Sequence, residues 1–110
     1  QCVQFTLDPT AASADTGKVL PSGCLPLFAQ NLDGGGTGGT SPTVDIGTSG
    51  DPDGFANELA ADAPTTLVVG GALLGTALTA DTPIYAGVGA SAATGGTTTL
   101  AVYYVMVDAG

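Results

Sequence analysis

The chain has 110 residues, with ten acidic side chains against a single lysine, no arginine and no histidine, for a formal charge of −9. A nucleic-acid binder needs cations facing the phosphates, which one lysine cannot supply, and without histidine there is neither imidazole acid–base chemistry nor a histidine–metal site. The same balance repels anionic membrane surfaces, and no apolar run reaches the ~18 residues of a spanning helix.

Taken in chain order, residues 1–7 (QCVQFTL) alternate, with Val3, Phe5 and Leu7 on one face and Gln4 and Thr6 on the other, which predicts a half-buried strand. Asp8-Pro9 stops it, and 10–18 reads as a loop leading into Val19-Leu20 and a Pro21-Ser22-Gly23 turn. Residues 24–32 (CLPLFAQNL) read as a strand in which Pro26 marks an edge or a bulge. The glycine-rich stretch 33–42 (DGGGTGGTSP) reads as a mobile surface loop. It has neither the Lys-Ser/Thr ending nor the following helix of a phosphate-binding loop.

Residues 43–47 (TVDIG) predict a strand with Val44 and Ile46 inward and Asp45 outward, followed by a compact turn region at 48–55. Residues 55–62 (FANELAAD) fit either a short helix or an irregular strand. Asp53 is placed to cap a helix there, and Phe55 and Leu59 have i, i+4 spacing. Residues 65–69 (TTLVV) read as a strand ended by Gly70-Gly71, and 72–78 (ALLGTAL) as strand-like or a helical turn. Residues 82–90 read as a strand with Ile84, Ala86 and Val88 on one face, 91–97 as a hairpin connection, and 98–107 (TTLAVYYVMV) as the clearest strand. Both faces of that last strand are apolar, so it is expected to be central and covered on both sides, by the opposing sheet on one and with another subunit as a candidate cover for the other.

About seven to eight short strands separated by Gly- and Pro-rich turns predict an all-β fold, an antiparallel β-sandwich of jelly-roll-like or Ig-like kind, with 1–110 as a single domain. The apolar fraction is 44%, yet much of it is alanine and aromatics make up only 5%. A core of such small side chains is thin, since each buried methylene contributes about 0.8 kcal/mol. A homo-oligomer is therefore expected, with a trimer as the preferred form.

Candidate site residues are few. Asp45, Asp51, Asp53 and Glu58 offer oxygen ligands for a structural calcium ion, but the spacing is not that of an EF-hand, and turn and capping hydrogen bonds around Pro52 account for Asp51 and Asp53 as well. No cofactor is expected beyond that ion. Paired carboxylates without an aromatic-lined cleft do not make a glycosidase, and the sole base, Lys18, sits in a turn region without a catalytic motif; no enzyme is expected. Tyr103 and Tyr104 are sequence neighbours in one strand and must face opposite ways, one to the core and one to a contact. Tyr85 and Phe28 are further interface candidates. Cys2 and Cys24 can form one disulfide or remain two buried thiols. The first residue is Gln, so a processed or preceding segment is expected upstream, although no signal-peptide pattern opens the sequence.

The segments DTGKVLPSG, PTVDIGTSGDPDGF, ADTPIYAGVGA and TTTLAVYYVMV, with Gly17–Gly23, Pro42–Phe55, Asp81–Val88 and Leu100–Val107 as the matching elements, resemble a group of small tailed-bacteriophage virion proteins. Those are head-decoration, head-fibre or minor structural β modules. The resemblance implies that Lys18-Val19-Leu20-Pro21 leads into a strand and that the Asp45, Gly47 and Asp51–Asp53 segment is structural. It implies a capsid decoration or cement protein, or a head-fibre module, on the capsid exterior, with the major capsid protein or other virion proteins as partners. The alternatives are a receptor- or glycan-binding module of a fibre or spike, which needs an exposed aromatic pocket, and a secreted surface or filament subunit. Cys2 and Cys24 are not features of the group, and a disulfide would suit a particle in oxidising surroundings.

Overall fold

Strict alternation builds the first strand. In the computed structural model, which describes residues 1–65, 68 and 71–107, β1 (Cys2–Leu7) buries Phe5 and Leu7 and turns Gln4 and Thr6 to solvent. It is followed by β2 (Ala14–Leu20), β3 (Cys24–Asn31), β4 (Gly36–Thr37), β5 (Thr43–Gly47), β6 (Ala56–Ala60), β7 (Thr82–Val88), β8 (Gly95–Gly96) and β9 (Thr98–Met106). The described residues contain no helix. All pairings are antiparallel. One sheet, the front sheet, has the order β1-β9-β3; the back sheet has the order β2-β7-β5-β6; β4 and β8 form a small ladder of their own.

The two sheets enclose one core, so the antiparallel sandwich is realised. Phe5, Leu7, Leu100 and Val102 come from the front sheet, and Leu20, Val44, Ile46, Leu59, Ile84 and Ala86 from the back sheet, with Phe55 fully buried beside them. The body measures 48 × 23 × 19 Å.

Several expectations are corrected. Of the two readings of residues 55–62, the irregular strand is the one that forms, as β6 (Ala56–Ala60), so Asp53 caps no helix. The first residues of β2, placed in a loop by the sequence reading, are already paired: Ala14 lies opposite Ala86 and Asp15 opposite Tyr85. Residues 72–78 are turns that run beside β3, where Gly75 N–H donates to Pro26 O (2.8 Å) and Leu78 N–H to Cys24 O (2.8 Å). Residues 91–97 are not a hairpin connection, because β7 and β9 lie in different sheets and the segment crosses between them. Most of the strand expected at 65–69 lies outside the described residues; Val68 bridges Ala29 in antiparallel fashion. β3 behaves as Pro26 implied: it is an edge strand of the front sheet with a bulge between Pro26 and Phe28.

The glycine-rich segment 33–42 is pinned rather than free. Gly36 pairs with Gly96 and Thr37 with Gly95, so the two Gly/Thr-rich regions of the sequence meet each other. A fully buried Asn31 holds the entrance to this ladder. Its side-chain carbonyl accepts from Thr98 Oγ1 (2.6 Å) and Gly34 N–H (2.9 Å), and its amide donates to Ala60 O (2.8 Å). Asp33 accepts from Thr99 N–H (2.9 Å) and, on its other oxygen, from Thr99 Oγ1 (3.0 Å).

Candidate interaction surfaces and the acidic turn

Register assigns each candidate side chain to a face. On the outward side of the front sheet, Cys2, Tyr103 and Phe28 lie opposite one another across β1, β9 and β3, followed by the row Gln4, Ala101 and Gln30 and the pair Val105 and Leu25. Tyr103 and Phe28 have ring centroids 4.9 Å apart at 45°, and Tyr103 Oη donates to Gln30 Oε1 (3.2 Å). Tyr104 faces inward, opposite Pro26, and packs against the core. Adjacent tyrosines therefore do divide between core and surface. Tyr85 lies on the outward side of the back sheet, between Asp15 and Gly47.

β9 is central in its sheet, as expected. Ala101 is fully buried, Tyr103 is half-buried, and Val105, Met106 and Val107 are 43%, 49% and 44% exposed.

The cysteines are not bonded to each other. Cys2 is exposed on the outward face of β1, whereas Cys24 is fully buried on the inward face of β3. With β9 between those strands, two strand spacings separate them, about 9–10 Å, and a disulfide requires Cα atoms within about 7 Å. Burial pushes the Cys24 thiol above its ordinary pKa, so it stays protonated and inert.

Asp15, Asp45 and Glu58 lie on strands of the back sheet. Asp45 Oδ1 accepts the Glu58 N–H (2.7 Å) across a register shift between β5 and β6. Glu58 takes φ +58°, a left-handed conformation rare for a residue with a side chain. Burial raises the Asp45 carboxyl, and the charges of Asp53 and Glu58 push in the same direction against the Glu58 N–H bond. Asp51 is raised by a hydrogen bond shared with Asp53, with burial and the Asp53 charge adding to it. Among the described residues no three Cys, Asp or Glu side chains come together as an ion-binding group. Two open grooves flank this region. One of about 360 Å³ is lined by Asp53, Asn57, Val68, Gly71 and Ala72, and one of about 230 Å³ by Ser41, Pro42, Thr43, Glu58, Ala60 and Asp62. Neither is lined by an aromatic side chain.

These shifts set the pH dependence of stability. A carboxyl raised in the folded state binds its proton more tightly there than in the unfolded chain, so Asp45 and Asp51 cost stability at neutral pH and return it as pH falls through their raised values toward 3.8. Asp33, lowered chiefly by the Thr99 N–H, and Asp8, lowered chiefly by the Thr10 hydroxyl, act oppositely: their contribution is present above 3.8 and is lost below it. The melting temperature should therefore rise from pH 7 to a maximum at mildly acid pH and then fall. Asp45→Asn keeps the acceptor for Glu58 N–H and should melt higher than the parent at pH 7, with the difference fading near pH 4. An equal gain at both pH values would refute this reading of Asp45.

No protein-family model matches the chain, and no curated protein matches it by sequence. Among solved structures, a chain of the cyanophage Pam1 capsid asymmetric unit has a similar fold, with a TM-score of 0.68 and 20% identity, over 98% of this chain and 84% of that one.

Proposed function

We propose that this protein is a structural component of a tailed-phage virion, a small β module that decorates and cements the assembled shell. The observation that carries the reading is the fold likeness over 98% of the chain to a chain from a cyanophage capsid asymmetric unit. The composition agrees with it: with one base and no histidine, the chain offers little for catalysis, and its contacts have to come from shape and uncharged surface. A receptor-binding role at a fibre tip is less well supported, because the tyrosines do not line either groove.

A cement protein stabilises a shell because it binds the assembled lattice and not the free subunits, which is linkage by mass action. The test is to mix purified protein with empty shells and, separately, with unassembled major capsid protein. Saturable binding to shells with a fixed copy number, and a higher shell melting temperature, are expected. Equal binding to unassembled subunits, or absence of the protein from purified particles, would overturn the proposal.

A further inference from the structure

The chain contains two Asp–Pro peptide bonds, Asp8–Pro9 and Asp51–Pro52, and the fold surrounds them in opposite ways. An Asp–Pro bond is chemically weak. The aspartate carboxyl can reach its own carbonyl carbon through a five-membered ring, and such an intramolecular attack has a very large effective concentration. Three local provisions then decide the rate: donors for the oxygen that becomes negative, a proton for the departing proline nitrogen, and access for water.

At Asp51 the turn supplies all three. The Asp51 carbonyl oxygen accepts two backbone N–H groups, from Thr48 (2.9 Å) and Gly54 (3.0 Å), the arrangement that stabilises a tetrahedral oxyanion. It reaches that seat because residue 47 is glycine; a Cβ there would collide with the Asp51 oxygen. Thr48 Oγ1 accepts the Asp51 N–H (3.1 Å) and fixes the residue further. The carboxyls of Asp51 and Asp53 are hydrogen-bonded to each other. Two ionised carboxylates cannot make that bond, because neither has a donor, so the pair holds a proton. Pro52 and Asp53 are exposed to water. Asp8 is the counter-example. Among the described residues its carbonyl accepts a single, longer bond, from the Ala11 N–H (3.2 Å). Its carboxylate is tied down by the Thr10 N–H (3.0 Å) and Thr10 Oγ1 (2.6 Å), and Pro9 is fully buried.

We infer that Asp51–Pro52 is a self-cleavage site, at which the Asp51 side chain cuts its own peptide bond. With the shared proton on Asp53, a carboxylate oxygen of Asp51 attacks the Asp51 carbonyl carbon and forms a C–O bond. The carbonyl electron pair moves onto the oxygen held by the Thr48 and Gly54 N–H groups. When that pair returns, the C–N bond breaks, its electrons leave with the Pro52 nitrogen, and the nitrogen takes the proton from Asp53. Water then opens the cyclic anhydride. Its oxygen ends in one carboxyl, one of its protons returns to the Asp51–Asp53 pair, and the other is released as the new carboxyl ionises. The net change is one water added, with Asp51 as a new C-terminus and Pro52 as a secondary amine. Both pieces stay in one sandwich, because β5 remains paired with β6 and β7. Among the described residues, the charged neighbours of the pair are Asp45, whose charge acts with that of Asp53, and Glu58 next to Asp45. Their negative charge favours keeping the proton on the pair. Leu73, packed on Gly54 from the facing segment, is neutral. The inference does not rest on the shell-binding reading and is tested on isolated protein.

Intact-mass spectrometry under denaturing conditions follows the reaction after incubation of the folded parent near pH 4.5, where the pair keeps its proton. Pieces 1–51 and 52–110, together heavier than the chain by one water, should accumulate at least about tenfold faster than 1–8 and 9–110. In urea, where both aspartates lose their surroundings, the two bonds should cleave within about threefold of each other. Asp51→Ala removes the nucleophile and should abolish the cut at 51 while leaving the rate at Asp8–Pro9 unchanged. Asp53→Asn removes the proton donor and should slow the cut at least about tenfold. Equal rates at the two bonds in the folded parent, the same preference for Asp51–Pro52 in urea, or an Asp53→Asn protein that cleaves like the parent would each overturn the inference. The first two comparisons use the parent alone, so a variant that fails to fold does not obscure them.

Discussion

Asn31→Ala should lower the unfolding free energy by about 3 kcal/mol, since each buried group left without its partner costs about 1–3 kcal/mol. Asn31 is fully buried, and its side chain satisfies three separate elements: Thr98 at the start of β9, Gly34 in the glycine-rich segment, and Ala60 at the end of β6. Truncation leaves the Gly34 N–H and the Ala60 carbonyl without those bonds. The Thr98 hydroxyl retains Asp33 Oδ1 at 3.2 Å, so it is the least affected. Asn31→Asp is the informative companion. It keeps the acceptor for Thr98 and Gly34 but loses the donor to Ala60 and buries a carboxylate, so it should be as damaging as alanine at pH 7 and recover toward acid pH, where the group is neutral. Urea denaturation of both variants at pH 7 and near pH 4.5 measures this. A loss below about 1 kcal/mol for Asn31→Ala would mean that water replaces the side chain at all three partners.

The sequence discloses this architecture wherever burial is one-sided and regular. Alternation at 1–7 and the inward pair Val44 and Ile46 follow directly from the period of a strand. The helix-like spacing of Phe55 and Leu59 misleads for a definite reason. In a regular strand Ala56 and Leu59 would face opposite sides, but the left-handed Glu58 bulge restores Leu59 to the core. A strand with one inserted residue and a turn of helix then bury similar positions. The apolar second face of 98–107 was legible as a pattern, but whether this chain or another covers it depends on strand order, which no local pattern encodes. Asn31 left no signal beyond being a polar residue at the end of an apolar run. Its importance arises from contacts with residues 29 to 67 positions away along the chain. The acidic cluster was visible as composition, yet the pairing of Asp51 with Asp53 and of Asp45 with the Glu58 N–H depends on the turn backbone.

Gly96→Val should destabilise the fold by about 3 kcal/mol or more, from a left-handed backbone that costs about 1–2 kcal/mol for a residue with a Cβ and overpacking of about 1–3 kcal/mol. Gly96 has φ +83°, and a Cβ there would collide with the carbonyl oxygen of Gly35 on the facing segment. The collision is with backbone, so no side-chain rotamer relieves it. Relief requires the β4–β8 ladder to separate, which draws Gly34 away from Asn31 and couples the ladder to the network at its base. Gly50→Ala is the control, because Gly50 has open space around its would-be Cβ and no positive φ; it should change stability by less than about 0.5 kcal/mol. Thermal melts of the two variants separate a ladder that is part of the cooperative fold from glycine that merely serves flexibility. If residues 33–42 were the free loop that their composition suggests, valine at 96 would be tolerated nearly as well as alanine at 50. A melting temperature for Gly96→Val at least about 10 °C below that of Gly50→Ala is expected instead.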